Sequence, residues 1–93
     1  LRVNGNSMIG AGIHNDDLLV VDRSIEPRPG HVIVAVLDGA FTLKRLTLKS
    51  GVLYLEADHP NYQPIDLRKY ENVQVWGVAM HSIHNLNSIK SSK

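Results

Sequence analysis

A serine in Gly5-Asn6-Ser7-Met8 and a lysine in Phe41-Thr42-Leu43-Lys44-Arg45-Leu46, 37 residues apart, are the two side chains here with the clearest chemical potential. A serine hydroxyl is a poor nucleophile until a positioned base takes its proton, and a neutral amine can do this as an imidazole does. Lysine qualifies only when desolvated, because burial disfavours the ammonium and brings the amine into the range of useful general bases. Lys44 has the apolar company this requires. The glycine before Ser7 lets the backbone turn tightly and aim amides at a developing oxyanion. Taken alone, Ser7 is read as an ordinary turn serine, and Lys44 is more readily a solvated face residue, as most lysines are, than a base.

Other groups invite different chemistry. His14 with Asp16 and Asp17 has the residue types of a metal site or of part of a Ser-His-Asp triad, although the two aspartates are most simply turn formers. His81 and His84 are three apart on an expected strand, which puts them on opposite faces and makes shared metal ligation awkward. Tyr54, Tyr62 and Trp76 read as core or interface aromatics rather than a stacking platform for bases, since no basic groove accompanies them. There is no phosphate loop, and neither a metal nor a cofactor is expected.

The elements that must position Ser7 and Lys44 are strands. Leu18 to Val21 is a continuous leucine and valine run ended by Asp22. Two prolines and Gly30 make a turn before a strand from His31 to Leu37, Asp38-Gly39 makes a hairpin, and the chain returns from about Phe41 to Leu48. Ser50-Gly51 turns it again into Val52 to Glu56. His59 to Pro64 is a proline-stiffened connector, Asp66 to Tyr70 one helical turn, and Val73 to His84 a long terminal strand. Alternation places Thr42, Lys44 and Leu46 on one face and Phe41, Leu43 and Arg45 on the other, so Thr42 is placed to orient the amine. The fold class is all-β: a small, highly twisted, partly closed barrel-like domain over residues 1–84, with a polar, frayed tail at 85–93.

Composition sets outer bounds. Ninety-three residues allow one domain with a modest core, and the absence of cysteine excludes disulfides and thiolate metal sites. A net charge of +1 with scattered basic residues argues against direct DNA binding, and no apolar run is long enough to span a bilayer.

Gly5-Asn6-Ser7-Met8-Ile9, then Gly12-Ile13-His14-Asn15-Asp16-Asp17-Leu18-Leu19-Val20-Val21-Asp22, resembles the signature of the LexA/UmuD family of self-cleaving serine-lysine peptidases, with the UmuD branch the closer match. The likeness continues through Gly30 to Ala35, Asp38 to Leu46, Asn61 to Ile65 and Val75 to Ala79. One position departs from it: Asp16 stands where the family usually has glycine, so a residue less tolerant of positive φ must make the turn. The resemblance implies that Ser7 is the nucleophile and Lys44 the general base, that the amides of Asn6 and Ser7 hold the oxyanion, and that Met8 packs beneath as apolar support. It implies a bacterial cytoplasmic protein of the SOS response that cuts its own N-terminal arm on contact with the RecA-ssDNA filament. The trimmed homodimer would then partner a UmuC-like Y-family polymerase in translesion synthesis. The alternative is the self-cleaving dimerisation domain of a LexA-like or phage-type repressor without its DNA-binding domain. Family members carry the scissile bond well upstream of the serine, so this stretch is expected to lack its own cleavage site and to cleave only in trans.

Overall fold

A computed structural model describes residues 1–87, and the expected tail therefore lies mostly outside the described residues. Six strands form one antiparallel sheet: β1 (Leu18–Asp22), β2 (Val32–Leu37), β3 (Ala40–Lys49), β4 (Val52–Glu56), β5 (Ile65–Asp66) and β6 (Val73–Ile83), in spatial order β1-β6-β2-β3-β4-β5. The all-β expectation holds, and among the described residues the sheet is open, with β1 and β5 at its two edges. Two short 3₁₀ turns, Ile9–Ala11 and Leu67–Lys69, complete it.

The hairpins follow from turn chemistry. Asp38 and Gly39 have φ of 47° and 87°, and Ser50 and Gly51 have 51° and 77°. Two successive left-handed residues make the tight turn whose twist matches that of the flanking strands, and glycine at the second position takes it without a Cβ penalty. These turns set the registers Leu37↔Ala40 and Lys49↔Val52. Two register shifts against β6, between Val20 and Val21 of β1 and between Val34 and Ala35 of β2, add local twist.

β2 is interior on both faces. Ile33 and Ala35 join Leu46, Leu55 and Val78 in one apolar cluster, while Val34, between them and so on the other face, joins Met8, Ile13 and Leu19. Full burial of each such large apolar side chain contributes about 1.5–3 kcal/mol. The second cluster fixes the functional region, because Met8 anchors the loop that begins at Ser7.

β4 stays beside β3 only from Arg45 to Lys49. The stretch Ala40 to Lys44 is thus paired with β2 alone and leaves an open backbone edge. Bonded and non-bonded pairs alternate outward from the Leu37↔Ala40 hairpin closure, so Leu43 directs its amide and carbonyl away from β2, toward that edge.

Candidate active site

Three segments build the site: the Ser7 loop, the turn that braces it, and the open edge of β3. The first is the Ser7 loop. Its entrance is held by Asn15, whose Oδ1 accepts a hydrogen bond from the Gly5 amide at 2.7 Å. Its exit is the 3₁₀ turn at Ile9–Ala11, with Met8 only 2% exposed. The second segment is the turn His14–Asp17, bonded to the N-terminal residues through Val3 N–H to Asp17 O and Asp16 N–H to Val3 O, both 2.8 Å. Asp16 adopts φ 70° there, so this aspartate takes the left-handed conformation that the family's glycine would favour. The third is β3.

On β3, Lys44 lies opposite Ile33 and Thr42 opposite Ala35, whereas Leu43 lies opposite Val34 and packs with the Met8 cluster. Thr42, Lys44 and Leu46 therefore share a face, as alternation predicts. Arg45, on the other face, pairs with Asp58. Lys44 is half-buried, and its Nζ is 2.9 Å from Thr42 Oγ1, 3.2 Å from the Leu43 carbonyl and 3.1 Å from Ser7 Oγ. Desolvation by burial holds the Lys44 pKa below the ordinary lysine value. The ring of Tyr62 stands 6.0 Å from the amine.

These partners match what a neutral amine needs. Such an amine has two N–H donors and one lone pair. The Leu43 carbonyl can only accept, Thr42 Oγ1 is placed to accept, and Ser7 alone is left to donate its hydroxyl proton into the lone pair. In the protonated state the third N–H donates to Ser7 Oγ instead. No histidine bonds Ser7 among the described residues.

Neither the Asn6 nor the Ser7 amide has an acceptor among the described residues, so both remain available to a third oxygen. Beside them lies a cleft of about 190 Å³, lined by Val3, Ser7, Leu19, Phe41, Leu43 and Lys44 among others. Its mixture of apolar walls and a few convergent polar groups is that of a binding cleft.

The histidines and acids take other places. Asp17, 1% exposed, accepts from the His14 amide, from Ser82 Oγ at 2.8 Å, and bonds His84 Nδ1 at 2.6 Å. Burial pulls its carboxyl pKa upward, but those bonds outweigh it and hold it at about 2. Asp17 thus ties the His14–Asp17 turn to the end of β6, and the ring of His14 lies 4.5 Å from that of His84, tilted by 42°. Trp76 lies under the Arg23 guanidinium at 4.5 Å, with Phe41 edge-on at 6.0 Å. No helix among the described residues is long and apolar enough to cross a membrane.

Asn15, Asp58 and Tyr62 were not singled out as site residues by sequence reasoning. Asn15 sits inside the quoted motif, which was a usable signal; Asp58 is a lone acid in a loop and carries none.

A family model described as peptidase S24-like matches residues 1–80. Protein ImpA of Salmonella typhimurium is 40% identical over 91 residues, 97% of this chain and 61% of ImpA. Protein MucA of Escherichia coli is 42% identical over 85 residues, 89% of this chain and 57% of MucA. The LexA repressor of Actinobacillus succinogenes is 41% identical over 87 residues, 91% of this chain and 41% of the repressor. The chain spans less than two thirds of the length of each of these relatives. A family match over most of the chain, relatives of this identity and the all-β fold agree: the chain belongs to the LexA/UmuD family and carries its peptidase S24-like domain.

Proposed function

We propose that this domain is the catalytic part of a UmuD-like protein that cleaves its own upstream arm by a Ser7-Lys44 dyad. The observation that carries this reading is the 3.1 Å approach of Lys44 Nζ to Ser7 Oγ, with the other two amine contacts made to oxygens that accept. The neutral amine takes the Ser7 proton as Oγ attacks the scissile carbonyl. The Asn6 and Ser7 amides receive the oxyanion, the ammonium protonates the departing amine, and water attacks the acyl-serine with Lys44 again as base. Met8 and Thr42 support this arrangement, one from beneath the loop and one at the amine. The open edge of Ala40 to Lys44 suits an extended segment bearing the scissile bond, since such an edge offers backbone groups for strand addition.

In this reading the RecA-ssDNA filament favours docking of the cleavable arm, and the trimmed homodimer works with a UmuC-like Y-family polymerase in translesion synthesis in the bacterial cytoplasm. Likeness to ImpA and MucA supports the UmuD branch. Self-association is supported by apolar exposure at one end of the sheet. Leu18, Val20, Met80 and Ile83 are 45%, 46%, 47% and 57% exposed, with Leu18 opposite Ile83. Likeness to the LexA repressor favours a second reading, in which the same domain dimerises and self-cleaves beneath an upstream DNA reader.

The test is incubation of the full-length parent with activated RecA, following fragment masses. Release of a short arm supports the UmuD reading. A fragment of about sixty residues or more, near the smallest size that folds alone, supports the repressor. No cleavage sinks both.

A further inference from the structure

Ser7 and Lys44 are 37 residues apart in sequence, and their contact depends on how the serine loop is held against β3. Asp58, in the turn after β4, makes four bonds that bridge the two. Its carbonyl accepts from the Gly10 amide at 2.7 Å, and its own amide donates to Met8 Sδ at 3.3 Å. Its carboxylate accepts from Arg45 Nε at 3.3 Å and Nη2 at 2.8 Å, while Arg45 Nη1 donates to the Gly30 carbonyl at 2.7 Å. Met8 follows Ser7 directly, and Arg45 follows Lys44 directly. Arg45 is also the first β3 residue paired with β4, opposite Glu56. The approach at Gly10 is so close that a Cβ there would sit 2.6 Å from the Asp58 carbonyl oxygen.

We propose that Asp58 and Arg45 are a positioning pair that sets the separation of Ser7 from Lys44, an inference that rests on the reading of those two as the reactive dyad. Neither touches the reacting atoms. They act on the chain just beyond each reactive side chain, holding the Met8 sulfur and the Gly10 amide on one side and the Arg45 guanidinium on the other, and so fixing the Met8–Gly10 segment against β3. With the Arg45 side chain 34% and the Asp58 side chain 24% exposed, the ion pair adds little to global stability, as partly exposed pairs generally do. Its effect is local, because displacing a reacting atom by about 1 Å costs on the order of a hundredfold in rate.

The first test needs no cleavage. In the 93-residue chain, Lys44 is titrated through its side-chain carbon and nitrogen NMR shifts, with and without Ser7→Ala. Removing the serine should move the Lys44 titration when Asp58 is present, leave it unmoved in an Asp58→Asn background, and move it again in Asp58→Glu. A Ser7→Ala effect that persists in the Asp58→Asn background overturns the proposal. The second test is alkaline self-cleavage of the full-length parent. Asp58→Asn and Arg45→Met should each lower the high-pH plateau by about ten- to a hundredfold, with the double variant no slower than the worse single one. Lys49→Met removes a different ion pair, to Glu56, between β3 and β4 and should stay within about twofold. Plateaus within about twofold of the parent in the folded Asp58 and Arg45 variants overturn the proposal as well. A parent that never cleaves would defeat the dyad reading, and the NMR titration would still decide the positioning role.

Discussion

Thr42→Val isolates the orientation of the lysine amine from its presence. Valine keeps the branched shape on β3 and removes the Thr42 oxygen that accepts from Lys44 Nζ at 2.9 Å, leaving Ser7 in place. A hydrogen bond of a neutral donor contributes about 0.5–1.5 kcal/mol net, and one from a charged donor about 1.5–3 kcal/mol. At high pH, where the amine is neutral, losing about 1 kcal/mol of orientation lowers the rate by about fivefold. The ammonium loses more than the amine, so the substitution also favours deprotonation. Burial already lowers the Lys44 pKa, and removing Thr42 Oγ1 lowers it further. The rate profile of parent self-cleavage should therefore change in two ways at once, with a lower plateau and a midpoint at lower pH. A cleavage assay from pH 6 to 11 reads both. A plateau equal to that of the unsubstituted protein, or a midpoint displaced upward, would refute the assignment of Thr42 as the acceptor that orients the amine.

Three further expectations concern the scaffold. Leu55→Ala, at a fully buried position, should cost about 2–5 kcal/mol in urea unfolding, because the lost transfer energy adds to the cost of the cavity left behind. Asp17, with a folded-state pKa of about 2 against an ordinary 3.8, contributes stability that is fully present above its unfolded value and is lost as pH falls through the folded one. Urea midpoints measured from pH 5 to 2 should fall across that window and flatten in Asp17→Asn. Asn15→Ala releases the Gly5 amide and should lower the cleavage plateau by about fivefold, the equivalent of one hydrogen bond, without moving the pH midpoint.

Much of this was legible in the sequence because the relevant signals are local. Asp38-Gly39 and Ser50-Gly51 specify tight turns that need no tertiary information, and they place β2, β3 and β4 within one residue of expectation. Ile65–Asp66 escaped notice as a strand because two residues carry no periodicity, and only pairing with Tyr54 and Leu55 makes them one. The Ile9–Ala11 turn was missed for a similar reason, being shorter than any helical repeat. Partial closure of a barrel was expected, and the sheet is open; strand order depends on long-range pairing that local patterns do not encode. At the site, Ser7, Lys44 and Thr42 came from motif and alternation. The Asp58 bridge could not, since its partners at Met8, Gly10 and Arg45 are distant in sequence and two of its four bonds use backbone or a thioether rather than an opposite charge.

The most direct test of the Ser7-Lys44 dyad is alkaline incubation of the full-length parent beside its Lys44→Ala variant, without RecA, followed by mass spectrometry. Raising the pH supplies the neutral amine that docking of the arm would otherwise favour. The dyad predicts a single cut upstream of Ser7 whose rate climbs as Lys44 loses its proton, and an intact Lys44→Ala chain at every pH. Equal cleavage with and without Lys44 would contradict it.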